Sequence, residues 1–414
     1  MKALQIEKNL LRFGAAALLA KTKGSGKGAS IGPLRYVDIP MPGEINEKWI
    51  EIRPILSGIC GSDLSMLDGK SSRELESFVS FPFIPGHEVV GIRADTKKRV
   101  VIEPLLGCIS RGLSPCESCL SGHHDRCANL AFGDLEAGLQ IGYCTDTSGG
   151  WAESFFAHIS QIHEIPESMN DSDALLVEPA ACAIHAVLQD LPDPGSTVVI
   201  LGAGTLGLLT LAAVVEFAKP KHIVVAAKYG HQKNFAKELG ATHVVNSDKV
   251  QAIVRSLTKS RLVGDTLSNG ADTTFDCVGS SASIENSIAI TRPRGKLVLV
   301  GMPSKGKIDL TFLWQRQIQM HGAYTYGIEQ VPPGHENSAV AKGEAGFSTS
   351  TTFKLAIEMS SKMGLGRLHS ATYSLEHYEE ALLHAGQAGS RGAIKIAFAP
   401  NKNKKIQREE TETL

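Results

Sequence analysis

No stretch of this chain approaches the roughly 18 consecutive apolar residues that a membrane-spanning helix requires. Neither sign of charge dominates: 42 lysines and arginines face 43 aspartates and glutamates, a formal net charge of −1. That balance gives no global electrostatic case for a nucleic-acid or membrane partner. No internal repeat is evident. No secretory leader is expected, because the apolar run Leu10 to Ala20 is interrupted by Arg12 and preceded only by Lys2 and Lys8. That run is expected to be an early strand and loop of a soluble domain. What remains is a chain of 414 residues, long for one core, so two domains are expected.

The chain is organised around the stretch from Gly195 to Ala241. Thr197-Val198-Val199-Ile200-Leu201 is a continuous β-branched apolar run, the pattern of a buried strand. Gly202-Ala203-Gly204-Thr205-Leu206-Gly207 follows at once, then a helical segment to Phe217, then a second apolar strand from His222 to Ala227. Strand, G-x-G-x-x-G, helix and strand in that order form a dinucleotide-binding unit. Its first glycine permits the tight turn, the second admits the pyrophosphate, and the third lets helix and strand pack closely. The helix N-terminus offers the phosphates unpaired N–H groups and a partial positive charge. Downstream strands end at Cys277-Val278-Gly279 and Val300-Gly301, and ligands of open α/β sheets sit at such carboxyl ends, so these residues are expected beside the cofactor.

The position about twenty residues past the last glycine discriminates between the nicotinamide cofactors, since an acid there binds a free ribose 2′-hydroxyl and repels a 2′-phosphate. Here it is Ala227, followed by Lys228 and, two positions beyond Tyr229, by His231. No acid occurs between Glu216 and Glu238, whereas five lysines do. NADP(H) is therefore expected in preference to NAD(H).

Residues 1 to about 180 look β-rich, with short apolar runs (Trp49 to Ile55, Val89 to Ile92, Arg99 to Ile102, Trp151 to Ala157) punctuated by glycine and proline. Gly58-Ile59-Cys60-Gly61-Ser62-Asp63 supplies a thiol on one turn, and Pro85-Gly86-His87-Glu88 an imidazole and a carboxylate on another. Val177-Glu178-Pro179 supplies a further carboxylate at the entrance to the nucleotide-binding region. Singly these are a buried thiol, a satisfied histidine and a helix-capping acid. Together they suit a catalytic zinc, which takes Cys, His and carboxylate and keeps one position open. Of the eight cysteines, four fall between Cys108 and Cys127 at metal-like spacings, which argues for thiolates in a reducing, cytoplasmic setting. Cys144, Cys182 and Cys277 read as buried or cofactor-lining.

In this order the cysteine turn, the G-H-E turn, the E-P pair and the G-x-G-x-x-G resemble a zinc-dependent medium-chain dehydrogenase/reductase over about residues 1 to 398. Glu178, in place of a third cysteine, resembles the polyol and sugar dehydrogenase branch. The resemblance implies an α/β protein. A GroES-like, β-rich catalytic domain would span residues 1–184 and resume at 326–400, a Rossmann domain with a doubly wound parallel sheet would span 185–325, and residues 401–414 would be a disordered tail. It implies zinc held by Cys60, His87 and a carboxylate. Glu88 or Glu178 can be that carboxylate, or the two can exchange. It implies that Ser62 takes the alcohol proton. Many relatives relay the proton through a histidine five residues past the cysteine, where this chain has Ser65.

Cys116, Cys119 and Cys127 match the last three ligands of the family's structural zinc lobe. Leu113 stands where the first is usual, and Cys108 can serve if Ile109 to Pro115 folds back. The expected activity is hydride transfer between a nicotinamide cofactor and an alcohol, polyol or sugar hydroxyl, in a homodimer or homotetramer. A zinc-free quinone or enoyl reductase of the same fold, and a non-catalytic nucleotide-binding protein, are the alternatives. Substrate specificity is expected from the loops Ser65 to Phe83 and Tyr324 to Phe347.

Overall fold

The computed structural model describes residues 1–401 apart from 44, 304, 334–340 and 343–347. The expected tail lies, beyond Asn401, outside the described residues.

Six parallel strands form one sheet: in spatial order, His243–Val245, His222–Ala226, Thr197–Leu201, Ala271–Asp276, Thr291–Leu299 and Gln319–Gly322. The first of these six in sequence, Thr197–Leu201, lies centrally and is buried at every residue, which is why it reads as an unbroken apolar run without alternation. Strand order reverses between Thr197–Leu201 and Ala271–Asp276, the topological switch point where such sheets bind ligands. Helix Thr205–Phe217 follows the glycine turn and packs against helix Val177–Gln189, which in turn packs against helix Thr352–Met363.

A second, mostly antiparallel sheet is built on strand Trp49–Gly58, flanked by Val89–Arg93 and by Phe155–His158. It continues through Arg99–Ile102 to Ile162–Glu164. On its other side the C-terminal strand Lys395–Phe398 pairs with Ser57 and Gly58, so the chain returns to this sheet after completing the parallel one. The expected strand Trp151 to Ala157 begins only at Phe155. Trp151 is fully buried, with its indole N–H on the Gly58 carbonyl at 3.1 Å, and serves as a wedge against Phe398.

The strand and loop expected over Leu10 to Ala20 are instead one α-helix, Leu10–Lys23. The physical reason is local. Asn9 caps its start by accepting the Arg12 N–H at 3.1 Å, Ala15 to Ala17 carry the highest helix propensity, and Gly24 ends it at φ 102. Among the described residues no helix is long and apolar enough to cross a membrane.

Candidate active site

Cys60 leaves strand Trp49–Gly58 as the N-cap of helix Gly61–Leu67, its N–H on the Asp63 carboxylate at 2.9 Å. His87 and Glu88 arrive on the turn before strand Val89–Arg93. Gly86, at φ 103, holds that turn where any Cβ would overlap Trp151 and Ser57. The Cys60 thiol, a His87 ring nitrogen and a Glu88 carboxylate oxygen all lie within 4.8 Å of one another, with His87 and Glu88 buried. Gly58 is required beside them, because a Cβ there would overlap the Glu88 carboxylate.

The donor chemistry fits a zinc ion: thiolate, imidazole and carboxylate converge from a buried pocket. His87 Nδ1 lies 3.7 Å from Asp63 and is a buried nitrogen without a hydrogen-bond partner, as is the Asp63 oxygen facing it. Asp63 is fully buried and faces the ring, on the side from which a carboxylate orients a metal-binding histidine. Burial opposes charging of His87, yet Asp63 and Cys60 hold its pKa well above the usual histidine range, a sign of how much negative charge converges here.

Glu178 stands in the first turn of helix Val177–Gln189, buried, with the Cys182 thiol 3.7 Å from its carboxylate. It lies outside the 4.8 Å group that unites Cys60, His87 and Glu88. Burial pushes its pKa up to about 7, countered in part by His87. Of the two candidate carboxylates, Glu88 is the one placed with the thiol and imidazole.

Two residues escape a reading of the sequence. Lys395 is buried and donates to the Glu88 carboxylate and, at 3.1 Å, to the Ile59 carbonyl. Tyr143 is buried against the site, its ring 5.9 Å from that of His87, and burial pushes its phenol pKa well up. Neither carries a local signal: one is a lysine in an apolar strand, the other a tyrosine in a loop far from His87 in sequence. Asp63, three residues past Cys60, does carry one, since that spacing returns its carboxylate to the Cys60 N–H as a helix cap.

The four cysteines of the second constellation come together. Ligand atoms of Cys108, Cys116, Cys119 and Cys127 lie within 4.8 Å of one another. Cys108 and Cys127 are 3.5 Å apart, too far for a disulfide bond, and all eight cysteines are free. The Ile109 to Pro115 loop does fold back: Gly112 takes φ 68, and buried Arg111 ties the loop down through the carbonyls of Leu106, Leu135 and Gly138. The Cys116 N–H and the Asn129 side chain donate to the Cys108 sulfur at 3.3 and 3.2 Å, as donors do to thiolates.

At the nucleotide turn Gly202 adopts φ 96, Gly204 is the N-cap of helix Thr205–Phe217, and a Cβ on Gly207 would overlap the Gly202 carbonyl. Ala203 is buried and Leu206 packs on the core beneath the turn. Cys277 and Val278 lie against Gly202, and Gly301, following Val300, lies against both. Gly279, at φ 75, completes that wall, braced by Asp276, which accepts the Val278 and Gly279 N–H groups at 2.8 and 3.1 Å. Ala227 is buried at the end of its strand and Lys228 is exposed, its ammonium 5.3 Å from the centre of the Tyr229 ring. His231 stacks on Tyr229 and bonds the Ala393 carbonyl at 3.2 Å.

The two sites meet along one segment. Thr205, at the start of the glycine-turn helix, donates to the Ile394 carbonyl at 3.3 Å, and the next residue, Lys395, reaches Glu88. Part of the second loop expected to set specificity, at 334–340 and 343–347, lies outside the described residues.

Two family models match: the alcohol dehydrogenase GroES-like domain over residues 46–167, and zinc-binding dehydrogenase over 205–339. Between them they cover more than half of the chain. The chain is 27% identical over 384 residues to sorbitol dehydrogenase of Bacillus subtilis, covering 89% of this chain and 95% of that one. It is 28% identical over 387 residues to D-xylulose reductase A of Aspergillus oryzae, covering 89% and 94%. Among solved structures, zinc dependent alcohol dehydrogenase 2 from Streptococcus pneumonia matches with TM-score 0.70 at 20% identity, covering 96% of this chain and 98% of that one.

Proposed function

The chain belongs to the zinc-dependent medium-chain dehydrogenase/reductases, and from that premise we propose that it interconverts a secondary hydroxyl of a polyol or sugar and the corresponding carbonyl. The observation that carries this reading is the Thr205–Ile394–Lys395–Glu88 connection, which sets the nucleotide turn and the Cys60–His87–Glu88 cluster on either side of one strand end. When bound, zinc supplies a Lewis acid that acidifies an alcohol oxygen, and the nicotinamide supplies a hydride acceptor.

This chain's residues supply the rest. Cys60, His87 and Glu88 would hold the metal, and Asp63 faces the His87 ring. Glu178 faces the same pocket and is the carboxylate available to exchange with Glu88. Ser62 takes the substrate's hydroxyl proton, and Ser65 offers no imidazole to pass it on. Gly202 to Gly207 receive the pyrophosphate at the helix N-terminus. Ala227, Lys228 and His231 leave room and positive charge for a 2′-phosphate, which favours NADP(H). A second, structural zinc belongs to Cys108, Cys116, Cys119 and Cys127.

The catalytic part is assigned to residues 1–184 and 326–400, and the nucleotide part to 185–325. The parallel sheet ends on strand Gln319–Gly322, near which Leu310, Phe312 and Trp314 are exposed, as suits an assembly of two or four copies. The test is a metal analysis combined with turnover. Near two zinc per chain and oxidation of polyols in preference to simple alcohols support the proposal. Turnover without zinc would indicate a zinc-free reductase, and NADPH binding without turnover on any panel member a non-catalytic protein.

A further inference from the structure

Helix Leu10–Lys23 lies outside both matched family regions and is built inside out. Its inner face is small: Ala16 packs on Gly28 and Ala17 on Gly69, where a Cβ on either glycine would overlap the helix. Phe13 is the large exception, set edge-on against Phe81 at 6.5 Å. Three of its four leucines point outward instead, with Leu10 71%, Leu11 87% and Leu18 63% exposed, while Leu19 is half-buried. A helix that only covered a soluble core would bury its leucines and expose its polar residues.

The charge along this stretch of sequence is equally one-sided. Between Glu7 and Asp38 there is no acidic residue, against six lysines and arginines: Lys8, Arg12, Lys21, Lys23, Lys27 and Arg35. A chain-wide net charge of −1 hides that block. Leu11, Arg12 and Ala15 also share an open groove of about 570 Å³ with Ser30, Ile31 and Arg35, so exposed apolar side chains and two guanidinium groups border the same space.

We propose that helix Leu10–Lys23 and the adjoining Ser30–Arg35 turn dock this protein on an anionic phospholipid surface. Outward leucines enter the boundary between headgroups and acyl chains, while the flanking cations meet lipid phosphates, which arginine binds in a two-pronged fashion. Charge complementarity selects this occupant over a second copy of the chain. A two-fold contact through this groove would set Arg12 and Arg35 of one copy against those of the other.

The test uses the full-length, zinc-loaded protein and vesicles of phosphatidylcholine with or without phosphatidylserine. It sediments with phosphatidylserine vesicles, is released by high salt, and does not bind phosphatidylcholine alone. Leu11→Glu with Leu18→Glu, and separately Arg12→Glu with Arg35→Glu, each lower vesicle binding about tenfold or more, with turnover and melting temperature unchanged. Three results would overturn the proposal: no binding to anionic vesicles; binding that both double variants retain; or a change in oligomeric state in the leucine variant, which assigns the face to a second copy. Loss of vesicle binding to inorganic phosphate, beyond the effect of sodium chloride at equal ionic strength, would assign it to a free anion and overturn it too.

Discussion

Lys395 and Glu88 form an ion pair sealed from solvent, with side-chain exposures of 2% and 1%, and the lysine also caps the Ile59 carbonyl one residue before Cys60. One ammonium therefore balances a carboxylate that is also within metal-binding reach of Cys60 and His87. Zinc and Lys395 compete for the charge of the same group. Lys395→Met removes one competitor. In protein stripped of zinc it leaves Glu88 buried and uncompensated, with a loss of about 3–5 kcal/mol. With zinc present the loss shrinks, and zinc affinity rises because Glu88 is free to bind. Thermal unfolding with and without zinc, beside a chelator competition, checks both signs. Equal destabilisation in the two states would refute the competition.

Cys60→Ala abolishes turnover while the parallel sheet still binds NADPH, because the thiolate belongs to the metal cluster and none of the nucleotide wall depends on it. Kinetics beside fluorescence titration of NADPH checks this, and wild-type turnover would remove the catalytic metal from Cys60. Replacing Ser62 by Ala lowers turnover by roughly 100-fold or more, while zinc content stays at the wild-type level.

Cys119→Ser acts on stability. Its sulfur is one of four, three of them buried, in a lobe with little other apolar content, so loss of one donor removes one zinc per chain and lowers the melting temperature. Retention of two zinc and of the wild-type melting temperature would dismiss the four-thiolate site.

How far the sequence can be read depends on whether the interaction is local. Thr197 to Leu201 and Gly202 to Gly207 announce themselves because strand, turn and helix are contiguous and each glycine has a backbone reason to be there. The cysteines at 116, 119 and 127 are equally local. Lys395 is illegible because its partner is far away in the chain, and a lysine in a strand normally signals a solvent-facing edge. Glu88 and Glu178 cannot be ranked from spacing, since only the fold sets which carboxylate joins Cys60. Leu10 to Ala20 misleads for a different reason. Its outward leucines and inward alanines reverse the usual amphipathic pattern, so periodicity offers no helical face to find.

A pH experiment addresses Glu103, which bonds His163 at 2.9 Å and faces His124 at 3.9 Å. Burial opposes its ionisation, but His124 and His163 win and hold its pKa down at about 2, against an ordinary 4.5. Its pKa is lowered on folding, so its contribution is complete above the ordinary value and is lost as pH falls towards the folded one. His124 is raised chiefly by the facing Glu103 carboxylate, so its contribution is complete below the ordinary histidine value of 6.5 and is lost as pH rises through the folded one. Glu103→Gln therefore costs most stability, about 1.5–3 kcal/mol for a charge-assisted bond, between those limits. The difference from wild type narrows on both sides. Denaturant unfolding across pH checks this, and a difference independent of pH would mean that packing alone is lost.

Cofactor choice turns on Ala227 and Lys228. Ala227 closes its strand without an acid, and Lys228 stands exposed beside it, its ammonium over the Tyr229 ring at the start of helix Gly230–Glu238. A 2′-phosphate at that strand end meets a cation and no competing carboxylate. Such a charge-assisted contact is worth about 1.5–3 kcal/mol, or roughly tenfold to a hundredfold in affinity. Lys228→Ala accordingly raises KM for NADPH by that order and leaves KM for NADH nearly unchanged. Because Lys228 is exposed and makes no buried bond, the variant keeps the wild-type melting temperature. Ala227→Asp is the converse probe. Its carboxylate repels the phosphate and bonds a free ribose 2′-hydroxyl, so the ratio of NADPH to NADH kcat/KM falls. A carboxylate at this buried position also costs some stability, but a general loss lowers both cofactors alike and leaves the ratio intact. Steady-state kinetics with both cofactors decides. A wild-type preference for NADH of about tenfold would defeat the 2′-phosphate reading and leave the metal cluster untouched.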